Sequence, residues 1–547
     1  MTTPPLKRSR GVLWLVALLN TAAGFPGMAG AAAGEPFRVL LRDRVQDSAG
    51  ESVIRQTQAE WDPARTAVIV CDMWDAHHCL NATRRVAEMA PRVNAFLKEA
   101  RERGALIVHA PSSCMEFYAN HPARRRAQEA PAASNRPEGI DQWLYWIDEE
   151  EEAAGYPVDA SDGGEDDGPE EHAQWAARLT AMGRNPDSPW IRQSAALEID
   201  EERDAVTDSG VENWNLLEER GADNVFLIGV HTNMCVLGRP FGLRQLAKSG
   251  KNVALVRDLT DAMYDPEDWP RVSHYRGTEL VVEHIERHVC PTVASNQVLG
   301  GEAFRFPGDT RKAAVLILAE DEYETQRTLP RFFEEQLGEA FRMHCVFASP
   351  GDAGRLEGLE TLEGAGLLVL SVRRRALPEQ QMRVLREYLD SGGPVVGVRT
   401  ASHAFSLRGQ TPEPGRAVWE EFDPEVLGGN YQGHYGNEVE TFARVRPEAA
   451  EHAIVRGLDA GEWPTGGSLY RVSPLEAGAE VLLWGRAGSI RPEEPAAWTY
   501  HTAAGGRVFY TSLGHPKDFE SAEFQRLLTH GILWAAGQEA EGGEGRK

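Results

Sequence analysis

Asp72 and Cys235 are the two residues of this chain best placed to do covalent chemistry together. Each follows an apolar run of strand length: residues 66–71, TAVIVC, lead into Asp72, and residues 225–230, VFLIGV, lead through a turn to Cys235. Cys235 opens a helical pattern that stops at Gly250, and residues 252–257 read as the next strand. A thiol at the carboxyl end of a strand and the amino end of a helix is expected to have a lowered pKa, because free N–H groups and the helix dipole favour the thiolate. Open parallel sheets bind ligands along that edge. A carboxylate beside such a thiol can take its proton and later activate water. The alternative is a buried structural cysteine.

The elements that must position this pair alternate in type. Residues 34–65 read as polar and irregular. The strand at 66–71 is followed by a helical period over 83–103, closed by Gly104, and by a second strand at 105–109. That β-α-β order implies a parallel sheet with a right-handed crossover. An insertion at about residues 110–194 follows. Between Asp148 and Glu171 it holds twelve acids and no Lys or Arg. The acidic run reads as a solvated, partly disordered loop and the insertion as a whole as a lid over the sheet edge. Helices are expected at 211–220 and 277–288, and 291–307 reads as a linker. A second α/β pattern then begins: a strand at Lys312, a helix at 325–337, strands at 343–347, 366–370 and 394–398, a helix at 378–391 before the last of these, and a closing helix at 520–535. The fold class is therefore α/β, as two three-layer α/β/α domains, each with a mainly parallel sheet. The divisions are 1–33 as a signal peptide, 34–300 as the first domain, 301–310 as linker, 311–537 as the second domain, and 538–547 as a disordered tail.

Composition narrows the function. A formal net charge of −26 repels phosphate backbones, which excludes nucleic acid as a general partner. Lys7, Arg8 and Arg10 precede a short apolar run at 12–19 and small-x-small sites near Ala31 and Ala33. That is the pattern of a cleaved export signal, so the expected location is periplasmic or secreted. The six cysteines are scattered with no C-x-x-C pair, which indicates neither a zinc ribbon nor a dense disulfide framework.

Two family resemblances sharpen the expectations. VIVCDMWD and GVHTNMCV resemble the two motifs of the isochorismatase-like cysteine hydrolases, across about residues 60–300 apart from the insertion. The resemblance implies an Asp–Lys–Cys triad that attacks a carbonyl carbon, with Asp72 as base and Cys235 as nucleophile. It also implies a cis peptide joining Val230 to His231, and an oxyanion hole from the backbone N–H groups of His231 and Cys235. Two departures stand out. Asn233 replaces the family aspartate, and residues 193–210, where the lysine belongs, contain none; Arg192 and Arg203 are the cations nearby. His77, His78 and Asn233 are candidate substrate contacts. No cofactor is required; a divalent metal near Asp75 and His77 is the less favoured reading, against histidines lining the cleft. The second domain resembles the ThuA-like family, of the class I glutamine amidotransferase-like fold and named for trehalose utilisation, through YLDSGGPVVGVRTASHAF and GGRVFYTSLGHPKDF. Its strand–helix elbow reads Val398-Arg399-Thr400-Ala401-Ser402-His403, without the amidotransferase cysteine. His403, His434 and His515 are candidates to line a polar, carbohydrate-related site. The expected activity is hydrolysis of a C–N bond in a small amide-like molecule; the alternative is a non-catalytic, carbohydrate- or partner-binding protein. Partners are a small-molecule substrate and, for the second domain, a carbohydrate, and a homo-oligomer stays open.

Overall fold

A computed structural model describes residues 34–48 and 50–538. The expected export signal at 1–33 and all but the first residue of the expected tail lie outside the described residues. No described helix is long and apolar enough to cross a membrane.

The first sheet has eight strands: β1 (Phe37–Gln46), β2 (Ser52–Trp61), β3 (Thr66–Cys71), β4 (Leu106–Ala110), β5 (Ala205–Val206), β6 (Asn224–Val230), β7 (Asn252–Asp261) and β8 (Thr292–Val293). Their order is β2-β1-β8-β7-β6-β3-β4-β5. From β8 to β5 every pairing is parallel, while β1 pairs antiparallel with both β2 and β8. Both faces of the sheet are covered. Ala67, Ile69 and Cys71 of β3 enter one apolar cluster and Val68 and Val70 enter another, as the period of two along a strand requires. Helix Leu80–Arg103 carries the connection from β3 to β4 on the second of these faces, and Gly104 ends it in a left-handed conformation.

Two expectations about this half are overturned. Residues 34–65 are not irregular but form the β1–β2 hairpin, whose register sets Arg38 opposite Glu60 and Asp43 opposite Arg55. Both pairs close as ion pairs. The strand signal is thus shared between partners, and neither segment is apolar enough to show it alone. The linker expected at 291–307 begins too early, because Thr292–Val293 is a strand of the sheet and Asn296–Leu299 a helix. Phe306 then packs on the first domain through Tyr275.

The second sheet has ten strands. Its parallel centre runs Phe341–Ser349, Lys312–Ala319, Leu367–Val372, Val395–Val398 and Arg507–Thr511. Antiparallel strands Glu494–His501, Glu480–Ala487, Thr441–Val445 and Trp463–Thr465 extend one side, and Asp352–Glu357 extends the other. The α/β class holds for both domains, but antiparallel pairing takes a larger share of this sheet than a mainly parallel one would have. The hairpin also links the halves. Ile54 belongs to an apolar cluster of the second domain, and Gln56 Nε2 donates to Cys345 O (3.1 Å). Buried Arg44 bonds both Glu286 of the first domain and Glu334 of the second (3.2 and 2.8 Å).

Candidate active site

The sheet order reverses direction at β3: the chain goes outward to β4 on one side and reaches β6, β7 and β8 on the other. Such a switch point leaves a crevice at the carboxyl ends of the adjoining strands, here β3 and β6. Asp72 follows β3 and the Cys235 turn follows β6. Gly229 makes the approach of the two strands feasible. It has φ +119°, and a Cβ there would stand 2.0 Å from Cys71 O. The next bond but one, Val230–His231, is cis, as the motif implied. Residues Thr232–Val236 form a wide π-helical turn, closed by Met234 and Val236 N–H groups donating to His231 O (3.0 and 3.1 Å).

Asp72 is fully buried and holds a left-handed backbone, φ 49°. A non-glycine residue in that region is strained and is commonly found where function requires it. Its Oδ1 accepts from Ser112 N–H (2.7 Å) and its Oδ2 from Arg239 Nε–H (3.1 Å). Arg239 is the cation that the motif region lacked. It lies one helical turn beyond the cysteine, with its N–H donating to Cys235 O (3.0 Å), and its guanidinium rests over the Trp143 ring from the insertion. The C-x-x-x-R spacing was the signal: a residue four after a helix-borne nucleophile returns to the same face. Arg192 and Arg203 serve elsewhere. Arg192 sits over the Phe117 ring, and Arg203 pairs with Asp200.

The expected lowering of the Cys235 pKa does not hold. Cys235 is 8% exposed, and burial pushes its thiol up; Asp72 raises it further, while Arg239 opposes both. The short turn supplies less dipole than a full helix, and the buried carboxylate outweighs it. Burial also raises the Asp72 carboxyl, against the Arg239 charge and the hydrogen bonds that lower it. A carboxylate with a raised pKa is a better base for a thiol, so the pair is set up for proton transfer between its members, beside a fixed positive charge.

Aromatic rings pack beside the cis peptide at His231. Trp74 and Trp190 stack at 4.5 Å, and His77 stands between them and His231, 4.7 Å from the latter ring. His77 Nδ1 accepts from Cys79 N–H (3.2 Å), and burial holds its pKa well below the usual imidazole range, so the ring is neutral. His231 is likewise held down, to about 3, mainly by burial, and its Nε2 is buried with no protein partner. His77 therefore belongs to the site, whereas His78 is turned toward the insertion, with Nε2 2.9 Å from Glu165 Oε1. Asn233 is engaged by a neighbouring segment of the chain. Its amide brackets the Met263 backbone, donating to O (2.8 Å) and accepting from N–H (2.9 Å). Asp75 is occupied by Arg184 (2.8 Å) and by the Ile191 N–H (3.2 Å), and no cluster of metal-binding side chains occurs among the described residues.

The insertion is an ordered cover, with helices Pro122–Glu129, Glu149–Ala154 and Pro169–Ala181. The acidic run is correspondingly not a solvated loop. Buried Glu151 accepts from Arg244 (2.6 Å) and lies 2.9 Å from His284 Nε2; burial alone would raise its pKa, but these partners hold it at about 2. Asp166 takes two bonds from Arg85 (2.7 and 3.0 Å), and Asp167 caps helix Leu80–Arg103 by accepting from Leu80 N–H (2.8 Å). The cations that order this run lie outside it in sequence, which is why the run itself reads as disordered. All six cysteines are free and buried.

In the second domain, Arg399 occupies the elbow after Val395–Val398, with φ 45°. His403 lies there too, stacked on Tyr431 at 4.4 Å, and His515 faces Tyr323 at 6.1 Å. His434 is exposed and bonded to the neighbouring Tyr435 carbonyl (2.7 Å), so it is not part of the group.

No curated protein sequence matches the chain. Among solved structures, a ThuA-like protein from Bacteroides uniformis is 15% identical, over 44% of this chain and 98% of its own, with a TM-score of 0.34. A second ThuA-like protein, from Parabacteroides merdae, is 21% identical over 43% and 93%, with a TM-score of 0.32. A cysteine hydrolase from Pseudomonas syringae pv. phaseolicola is 16% identical over 44% and 92%, with a TM-score of 0.26. The ThuA family, described as trehalose utilisation, matches residues 314–535, so the carboxy-terminal half of this chain is a ThuA-like domain.

Proposed function

We propose that the first domain is an isochorismatase-like cysteine hydrolase that cleaves a C–N bond in a small amide-like substrate. The observation that carries this reading is Arg239, which supplies a cation to Asp72 and Cys235 where the family lysine is missing. Arginine keeps its proton, so it fixes charge and orientation, and Asp72 alone moves protons.

In the first half-reaction Cys235 Sγ attacks the carbonyl carbon as its proton passes to Asp72. The thiolate character that develops is offset by Arg239. The carbonyl oxygen, gaining charge, turns toward the backbone N–H groups of His231 and Cys235, the oxyanion hole that the motif implies. Collapse breaks the C–N bond, and Asp72 returns its proton to the leaving nitrogen. A water molecule then attacks the thioester. Asp72 takes one of its protons, the acid is released, and the thiol regains its hydrogen. The stacked Trp74 and Trp190, with neutral His77, favour a flat, uncharged substrate. The ThuA-like domain adds a carbohydrate-related role, and export through residues 1–33 places both in the envelope or outside the cell.

Ammonia release from a panel of small amides and ureides, measured on the full chain, tests the assignment. Cys235→Ala is expected to reduce turnover by several orders of magnitude. Turnover unchanged in that variant, or no release from any member of the panel, refutes it.

A further inference from the structure

The charge at the second-domain elbow lacks a counter-ion. Arg399 is almost fully buried. Its Nη1 donates to Ser512 O (2.8 Å) and its Nη2 to Ser468 O (3.3 Å), and its guanidinium lies against the rings of Tyr323 (4.0 Å) and Tyr470 (4.9 Å). Its Nε, and the Oγ1 of the neighbouring Thr400, are buried with no protein partner. Among the described residues no carboxylate comes within ion-pair distance of Arg399, Arg374 or Arg408, whereas the flanking Arg373 and Arg375 are paired with Glu322 and Asp321. A buried cation normally has a partner, because desolvation without one is costly.

The nearby acids are already committed to backbone amides. Asp518 accepts from the N–H groups of Gly466, Gly514 and His515 (2.6–2.9 Å). Glu420 accepts from Leu407 and Gly409, and Glu320 from Glu322, Tyr323 and Thr325. Hydrogen bonds tie both outer arginines to the elbow: Arg374 N–H donates to His403 O (3.1 Å), Arg374 Nη1 to Ser406 O (3.2 Å) and Arg408 N–H to Ser406 Oγ (3.3 Å). His403 stacks on Tyr431, which meets Tyr470 edge-on at 4.8 Å. Gly466 and Gly467 keep this wall thin, for a Cβ on either would strike His515 Nδ1 (2.6 Å) or Arg399 Nη2 (2.5 Å). In a chain of net charge −26, an unpaired cationic cluster at the carboxyl edge of a parallel sheet is not background.

We infer that this edge is an anion site, in which Arg399, Arg374 and Arg408 take the carboxylate or phosphate of a small ring compound that rests on Tyr431 and Tyr323. Guanidinium forks match both groups, and the tyrosine faces suit a ring attached to either. The site is separate from Cys235 and stands whether or not the first domain is a hydrolase.

Isothermal titration of the full chain at low ionic strength, with glucuronate and with glucose 6-phosphate as probes and glucose as the neutral control, tests it. At least one anion is expected to bind and glucose is not. Stronger binding of glucuronate assigns a carboxylate ligand, and stronger binding of glucose 6-phosphate a phosphate ligand. Arg374→Gln and Arg408→Gln, both nearer the surface, are each expected to weaken binding by about tenfold or more at an unchanged melting temperature. Arg399→Lys is expected to abolish it. Should that variant not fold, the two surface variants decide. Binding of neither anion, equal binding of glucose, or anion binding left intact by both surface variants overturns the site.

Discussion

Replacing Asp72 by Asn should move reactivity and catalysis in opposite directions at one thiol. In the native site the Cys235 pKa is raised first by burial and then by Asp72, while Arg239 lowers it. Asparagine keeps the size of the side chain and the oxygen that accepts from Ser112 N–H. It removes the negative charge and leaves Arg239 as the charge nearest the sulfur. Two unit charges about 4 Å apart interact by about 4 kcal/mol at an effective dielectric of about 20, or about 3 pK units as an upper bound. Part of that gain in thiolate is offset by the lower nucleophilicity of a less basic sulfur, for which the rate follows roughly half the pKa change. The net expectation is that iodoacetamide modifies Cys235 about 10- to 30-fold faster in Asp72→Asn than in the native chain at pH 8. Amide hydrolysis, which needs the carboxylate as base, should fall by about 100-fold or more in the same protein. Peptide mass spectrometry resolves Cys235 from the other five cysteines, with Cys290, whose thiol is raised by burial and not by Asp72, as the internal reference. A folded Asp72→Asn variant whose Cys235 reacts more slowly than native, or at the same rate, would refute the charge balance described here.

Other consequences concern stability. Glu151→Ala strands Arg244 and His284 beneath the cover, so the variant should lose about 3–5 kcal/mol in chemical denaturation; a loss below about 1 kcal/mol would show that the cover is not anchored there. Asp423 is buried, its carboxylate accepts from Tyr431 N–H alone among the described residues, and burial pushes its carboxyl up to about 7. Its folded pKa lies above the unfolded value of about 3.9, so its contribution is complete below about pH 4 and is lost as pH rises through about 7. Asp423→Asn should therefore be more stable than native to denaturant at pH 8, by up to about 4 kcal/mol, and match it at pH 4; the same difference at both pH values would argue against titration of this group. A chain cut to residues 34–308 exposes Ile54 and deprives Arg44 of Glu334. It should unfold at a lower denaturant concentration than the first domain does in the full chain, and equal midpoints would show that the hairpin contributes nothing across the interface.

What was legible in the sequence depended on whether a signal was local. Asp72 and Cys235 could be placed at one crevice because each ends an uninterrupted apolar run, and two such runs in a parallel sheet end on the same edge. The cis bond at Val230–His231 was carried by a motif eight residues long. By contrast, the β1–β2 hairpin draws its strand character from pairs such as Arg38 with Glu60, twenty-two positions apart, so neither half announces it. The acidic run failed for the same reason on a larger scale. Like charges in sequence imply repulsion and solvation, but Glu151, Asp166 and Asp167 meet Arg244, Arg85 and the amino end of helix Leu80–Arg103 only after folding. Arg239 is the intermediate case. It is visible at four residues from Cys235, but not at the place where the resemblance puts a lysine. The charge requirement belongs to the carboxylate–thiol pair and not to a chain position, so any element that reaches Asp72 can meet it. In this fold the element that does so is the one that carries the thiol itself.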